Sequence, residues 1–245
     1  MSTFVIGDIH GGFKALIQLL RRMDLTEENT LIFLGDYVDG WSESAQVIKL
    51  LIELSENINC IFIKGNHDVW CEEWLETNYI NPTWYLHGGK EAIESYEGFS
   101  EEEKRRHLRF FKSLKFYYID EKNRLFIHAG YTSEQGVEKE ADYKAFYFDR
   151  TLWETALMVD NNKKIISGKN SKRLKHYDEI FIGHTPTLNY NSYVPMHAAN
   201  VWNVDTGATF YGKLSAMNID TKEIFQSDVV RTLYPNEMGR NKDFF

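Results

Sequence analysis

Cysteine is nearly absent: Cys60 and Cys71 are the only two in 245 residues. Two thiols cannot build a disulfide scaffold, and they fit a reducing compartment. No apolar run approaches the roughly 18 residues needed to span a bilayer, and nothing before Phe4 has the charged and apolar regions of a leader peptide. The expectation is a soluble, cytoplasmic protein without a membrane partner. Positive charge is also in deficit. The 28 Lys and Arg residues against 36 Asp and Glu leave a net charge of −8, which disfavours a nucleic-acid binder that works by phosphate neutralisation. An anionic substrate would need a local positive site, such as bound metal. No repeat, low-complexity tract or Pro/Gly/Ser linker divides the chain, so one α/β domain over residues 1–245 is expected.

What is present is a series of short β-rich runs, each closed by a polar turn. They are Thr3–Ile6, Leu31–Leu34, Ile61–Ile63, Arg124–Ile127 and Glu179–Ile182. Continuous apolar runs of this kind read as strands covered on both faces. Phe13, Leu16, Ile17, Leu20 and Met23 fall at helical spacing after the first run, as do Val47, Leu50, Leu51 and Leu54 after the second. Alternation of strand and helix predicts parallel βαβ units with right-handed crossovers. Residues about 70–115 turn polar, aromatic and helical, with Glu101–Arg106 as a solvated helix face, and a further helical piece falls near Ala141–Ala156. Val201–Val204, Leu214–Ile219 and Ile224–Gln226 read as antiparallel strands of a second sheet packed on the first. His107, His176 and His197 belong to no motif and are expected at the surface.

The chemistry sits at the strand ends. Gly7-Asp8-Ile9-His10-Gly11, Gly35-Asp36-Tyr37-Val38-Asp39, Gly65-Asn66-His67-Asp68, His128-Ala129-Gly130 and Gly183-His184-Thr185 follow in order. Each alone is weak, but five strands all ending in Asp, Asn or His are hard to read as turns. Open α/β sheets gather reactive groups beyond the carboxyl ends of their strands. Oxygen and imidazole donors there suit borderline divalent ions, and the lack of thiolate argues against structural zinc. A shared carboxylate such as Asp36 can bridge two ions about 3.5–4 Å apart. Glycine beside each donor allows tight turns and close approach of a substrate.

The order GD-x-HG, GD-x-x-D, GNH-D/E, H-x-G, GH-T resembles that of the calcineurin-like metallophosphoesterases, in the version found in bacterial and phage serine/threonine phosphatases and symmetric dinucleoside tetraphosphatases. The resemblance runs from residue 7 to 185 and extends to Asn203–Ala208. It implies a four-layer α/β/β/α sandwich, two mixed sheets flanked by helices, with a helical insertion. It also implies two divalent ions, manganese first and iron or zinc as alternatives. Asp8, His10 and Asp36 would hold one, and Asp36, Asn66, His128 and His184 the other. By the same resemblance a metal-bound hydroxide would attack phosphorus, His67 would be the general acid and Asp39 would orient it.

The chain departs from that pattern in its phosphate clamp. Gly40-Trp41 stands where such phosphatases carry Arg-Gly, and Lys64 stands where an arginine precedes GNH. Lysine supplies charge without the bidentate fork of arginine. Lys64 and Arg150 are the candidate substrate-binding residues, and restoring arginine at Gly40 is expected to lower the KM for a phosphomonoester. Trp84 with Gly88-Gly89 is either a core anchor of the insertion or part of a substrate rim. The leading expectation is a phosphomonoesterase acting on phosphoserine or phosphothreonine in proteins. Its rival is a symmetric bis(5'-nucleosyl)-tetraphosphatase or another small-molecule phosphoesterase. A non-catalytic metal-binding scaffold predicts a lost ligand, and none is lost. Pro186, where diesterases of this fold place a second His, disfavours a nuclease or cyclic phosphodiesterase.

Overall fold

The computed structural model describes residues 2–161 and 172–241. Two five-stranded mixed sheets lie face to face. The first is built on β1 (Thr3–Ile6), β2 (Thr30–Phe33) and β3 (Asn59–Phe62), which pair in parallel with Phe4 opposite Leu31 and Leu31 opposite Cys60. The second takes β4 (Tyr117–Ile119), β5 (Arg124–Ile127), β6 (Glu179–Ile182), β7 (Met196–Ala198) and β8 (Val201–Asn203), in the order β4-β5-β6-β8-β7. β9 (Lys213–Asn218) and β10 (Ile224–Val229) complete the first sheet, in the order β10-β9-β1-β2-β3.

The strand pattern explains the layers. Val5, Ile32, Phe126, Phe181, Val204 and Met217 are buried between the sheets, and the Phe126 and Phe181 rings stack at 4.9 Å. The opposite faces are covered by helices. α1 (Phe13–Arg22) and α2 (Ser44–Leu54) bury Leu16, Leu19, Val47 and Leu51 in a core with Phe4, Ile6, Leu31 and Phe33. On the far side α7 (Ala145–Phe148) and α8 (Thr151–Asn161) put Phe146, Leu152 and Trp153 over Leu125, Ile127 and Ile182. That is the expected four-layer sandwich. Among the described residues no helix is long and apolar enough to cross a membrane.

One expectation about the sheets changes. The three late β runs do not form one antiparallel sheet. β8 pairs in parallel with β6, Ile180 opposite Val201, while β9 and β10 run antiparallel on the open edge of β1, with Ile6 opposite Ala216. The Asp205-Thr206-Gly207 turn therefore carries the chain from one sheet to the other. The alternation that identifies a strand does not say which edge it will cover, and the free edge of β1 is the one capped here.

The insertion between β3 and β4 contains α3 (Asn66–Thr77), α4 (Pro82–Trp84), α5 (Lys90–Ser95) and α6 (Glu101–Ser113). It begins at Asn66, so its first helix carries a site motif on its first turn. α6 opens on a capping box: Glu103 N–H donates to Ser100 Oγ at 3.3 Å, and Ser100 N–H to Glu103 Oε2 at 2.8 Å, an arrangement worth about 1 kcal/mol. The exposed Glu101–Arg106 run matches the solvated face expected of it.

His107, expected at the surface, is instead buried on the inner face of α6, its Nδ1 3.0 Å from the Tyr96 hydroxyl. Burial lowers its pKa from 6.5 to about 4. The folded state thus prefers neutral imidazole, and on acidification the unfolded chain takes up the proton first. Its contribution to stability should be complete above about pH 6.5 and fade towards pH 4. Urea midpoints for wild type and His107→Gln across that window should converge as the pH falls. A constant gap would refute the neutral buried imidazole.

Candidate metal centre

The five motifs end on one rim, and the backbone there is strained. His10, Asp36, Asp39 and His184 have φ of 51°, 52°, 76° and 65°. Left-handed conformations of non-glycine residues cost roughly 1–3 kcal/mol each and persist where surrounding structure imposes them. At Asp36 that imposition comes from Asp68. Its Oδ2 accepts from the N–H groups of Asp36 and Gly65, both at 2.8 Å, and its Oδ1 from Tyr37 N–H at 2.9 Å. One buried carboxylate thus ties the turn after β2 to the start of α3. Gly65 is glycine for a local reason: a Cβ there would stand 2.1 Å from Asp36 Oδ1.

Asp36 is the centre of the cluster. Its Oδ2 lies 3.6 Å from His10 Nε2 and 3.4 Å from His128 Nε2, while its Oδ1 accepts from His67 N–H at 3.0 Å. His10 Nε2 is 3.9 Å from Asp8 Oδ2, and His128 Nε2 is 3.3 Å from Asn66 Oδ1. Asp36 belongs to two donor groups, with His10 and His67 on one side and with His128 and His184 on the other, each with ligand atoms within 4.8 Å of one another. The ring orientations suit ligation. His10 Nδ1 and His128 Nδ1 face the carbonyls of Val38 and Leu34, at 3.2 and 2.8 Å, which leaves each Nε2 lone pair towards the cluster. His184 N–H donates to Asp8 Oδ2 at 3.1 Å. All six expected ligands, Asp8, His10, Asp36, Asn66, His128 and His184, are brought together and buried.

The electrostatics ask for a cation. Burial, reinforced by Asp205, pushes the Asp8 carboxyl well above its ordinary range, and burial raises Asp205 to about 6. Burial lowers His10 to about 4, and burial with repulsion from His128 and Arg150 lowers His184. His128 goes the other way: burial opposes its charge, but Asp36 and Asp8 raise it to about 10. Asp36 in turn is held well below its usual range, burial notwithstanding, by His128 and His67. The buried carboxylates thus favour positive charge among them, and a divalent ion held by these donors would supply it. The donors are oxygen and imidazole; Cys60 and Cys71 lie elsewhere, on β3 and α3. This set fits the two-ion centre that the sequence implies.

His67 lies within reach of the first donor group, but both of its ring nitrogens are engaged elsewhere. Its Nδ1 is 2.5 Å from Asp39 Oδ2, and the same oxygen accepts from Trp84 Nε1 at 2.6 Å. Trp84 is fully buried, so it is a core anchor that also holds Asp39 in place. The other face of the ring, Nε2, is 3.1 Å from Arg240 Nη1. A guanidinium at that nitrogen repels a cation, which separates His67 from the ligand role.

A pocket of about 290 Å³ opens over the cluster, lined by His10, Asp36, Asn66, His67, His184 and Asp205, with Arg150, Arg240, Asn189 and Phe210 on its walls. Arg150 reaches it because Asp149 caps α8, accepting from Thr151 N–H at 3.1 Å and Leu152 N–H at 2.9 Å. Its Nη1 donates to Thr185 Oγ1 at 3.0 Å. Lys64 is not brought to this pocket. It is buried against Glu72, Nζ to Oε2 2.6 Å, so the charge it was expected to offer a phosphate is already neutralised. Sequence reasoning missed Arg240, which sits in no motif, and gave no role to Asp205, although it lies in the Asn203–Ala208 stretch that shares the family resemblance.

Comparison with known proteins agrees with this geometry. The profile described as calcineurin-like phosphoesterase matches residues 1–211. The asymmetrical bis(5'-nucleosyl)-tetraphosphatase PrpE of Oceanobacillus iheyensis is 27% identical, covering 91% of this chain and 90% of its own. A crystal structure of a candidate diadenosine tetraphosphatase superposes with a TM-score of 0.64 at 17% identity, covering 91% of both chains. A serine/threonine phosphatase from Saccharomyces cerevisiae superposes at 0.61 and 16% identity, over 93% of this chain and 80% of that one. At those identities the two structures speak for the fold alone.

Proposed function

Given that the chain belongs to the calcineurin-like phosphoesterases, we propose that it is a metal-dependent hydrolase of dinucleoside polyphosphates, cutting diadenosine tetraphosphate asymmetrically. The observation that carries this reading is the pocket wall. Two guanidinium groups, Arg150 and Arg240, flank the metal cluster, and among the described residues neither forms a salt bridge with a carboxylate. Two guanidinium forks without a carboxylate partner suit a chain of several phosphates better than a single seryl phosphate. The relative from Oceanobacillus iheyensis, matched over nine tenths of both chains, is named for the same reaction. The protein-phosphatase expectation has only a likeness of fold behind it, and a symmetric cut is the remaining alternative.

Two divalent ions, held by Asp8, His10 and Asp36 and by Asp36, Asn66, His128 and His184, would supply Lewis acidity and acidify a water to act near neutral pH. Manganese is the first choice for this mixed set of oxygen and imidazole donors, with iron or zinc as alternatives. The chain's own residues do the rest. Arg150 grips the phosphates. His67 takes up a proton from water at Nε2 and passes it to the leaving oxygen, while Asp39, pinned by Trp84, keeps the other nitrogen of that ring protonated and its plane fixed.

The test is product analysis. Purified protein supplied with manganese should release ATP and AMP from diadenosine tetraphosphate, with a higher kcat/KM than on a phosphoserine peptide. Two ADP would replace the asymmetric cut by the symmetric one. A preference for the phosphopeptide would return the protein to the phosphatase reading.

A further inference from the structure

Arg240 lies beyond the span matched to the family profile, residues 1–211. We propose that Arg240 is a phosphate-binding residue of this site, delivered by the segment after β10 into the space that Gly40 leaves open. The inference rests on the phosphoesterase reading above.

The guanidinium points into the pocket beside His67 and lies over Phe210, with Cζ 5.5 Å from the ring centre. Among the described residues its one polar side-chain contact is His67 Nε2, at 3.1 Å. The guanidinium is largely removed from water. Asp36, Asp39, Asp205 and Asp8 are near enough to favour its charge, but among the described residues none pairs with it directly, so its fork is left without an anionic partner. It is placed to receive an anion.

The segment that carries it is firmly docked. Arg240 N–H donates to the Thr209 carbonyl at 3.0 Å. Glu237 accepts from Ser42 N–H at 3.0 Å and from Ser42 Oγ at 2.7 Å. Tyr234 stacks on Trp41 with ring centres 5.1 Å apart, and the fully buried Trp41 donates its indole N–H to the Ala208 carbonyl at 2.9 Å. Trp41 thus anchors the segment.

Gly40 supplies the room. Its φ is +96°, a conformation side chains resist, and a Cβ there would come within 2.5 Å of Thr209 Oγ1 and 3.4 Å of Arg240 Cγ. A Cβ at position 40 would clash with Thr209 Oγ1 and already touch Arg240 Cγ, so a longer side chain there would run against the stem of Arg240. Gly40-Trp41, which looks like a lost clamp in the sequence, becomes the socket for a clamp that arrives from elsewhere in the chain. The expectation that arginine at position 40 would lower KM is therefore reversed: it should displace Arg240 and raise KM.

Arg240 also governs His67. With the Nδ1 proton committed to Asp39, Nε2 accepts from the guanidinium. A phosphate oxygen is a stronger acceptor than neutral imidazole. Arrival of substrate draws Arg240 to the phosphate and frees Nε2 to take up a proton from water, which it can then pass to the leaving oxygen.

The test uses the full chain loaded with manganese, comparing wild type, Arg240→Ala and Arg240→Lys. Calorimetry measures the affinity for inorganic phosphate, and kinetics separate KM from kcat on the dinucleotide. Arg240→Ala should bind phosphate and substrate about 10–100-fold more weakly, the scale of a lost charged hydrogen-bonding fork, with metal content and melting temperature unchanged. Arg240→Lys should recover only part of the loss, and added guanidinium ion should restore binding to Arg240→Ala, which repair of a merely structural contact would not do. Phosphate affinity within twofold of wild type in Arg240→Ala, or a loss that guanidinium leaves untouched, would overturn the proposal. Turnover by wild type judges the functional reading separately, because phosphate affinity decides Arg240 whether or not the dinucleotide is cut.

Discussion

Asp36→Asn should strip the site of most of its metal and lower turnover by about a thousandfold or more, since several kcal/mol of charge stabilisation leave with the ions. The size follows from position. Asp36 is the one carboxylate common to both donor groups, 3.6 Å from His10 Nε2 and 3.4 Å from His128 Nε2. Any other ligand serves a single ion, so its loss should leave the second ion in place. The amide retains the shape and can still accept from His67 N–H through its oxygen, so the backbone around it has no reason to collapse. What disappears is the negative charge. Metal analysis should find two ions per chain in wild type and fewer than one in the variant. Calorimetric melting gives an independent reading: saturating metal stabilises a protein that binds it only when folded, by about 2.7 kcal/mol per site at a hundredfold excess over Kd. That metal-dependent rise should vanish in Asp36→Asn. Two ions retained with full affinity would remove Asp36 from the bridging position.

The parts of this site legible in the sequence are those made by covalent neighbours. Asp8 with His10, Asp36 with Asp39 and Asn66 with His67 each lie within one short motif, and the strand before each motif fixes where its loop emerges. The sheet layout was readable where a helix crossover dictates the next strand, as from β1 through β2 to β3. It was not readable for β9 and β10, because nothing local distinguishes an edge strand of one sheet from that of the other. The same holds for side chains paired across the fold. Lys64 stands where a phosphate-binding residue was expected, but Glu72 on α3 reaches it first. His107 reads as one polar residue on a charged helix until Tyr96 and the inner face of the insertion cover it. Arg240 has no motif at all, yet a trace of it existed. Gly40-Trp41 broke the family pattern, and a glycine in a left-handed turn followed by a large aromatic signals that something else fills the vacated volume.

His67→Ala is the other large effect, and its size should depend on what leaves. A positioned general acid contributes about 10²–10⁴-fold, but only when the leaving oxygen needs its proton. The p-nitrophenolate ion leaves readily without one, a nucleotide phosphate needs some help, and a seryl alkoxide needs the most. In the alanine variant the loss of kcat should therefore be smallest on p-nitrophenyl phosphate, intermediate on diadenosine tetraphosphate and largest on a phosphoserine peptide. The geometry supports a proton-transfer role. Nδ1 is held by Asp39, Asp39 is held by Trp84, and Nε2 opens on the pocket once Arg240 turns to phosphate. Asp39→Asn should reproduce the same ranking with a smaller loss, because the ring remains but its orienting charge is gone. Removing the imidazole also leaves the Asp39 carboxylate, already raised by burial, without its closest partner, so the alanine variant must first be shown to melt as a folded protein and to bind two ions. With that established, an equal loss on all three substrates would mean that His67 holds the phosphate and does not protonate the leaving group. The graded loss would make it the acid, and its value on the dinucleotide would measure how much protonation the proposed reaction requires.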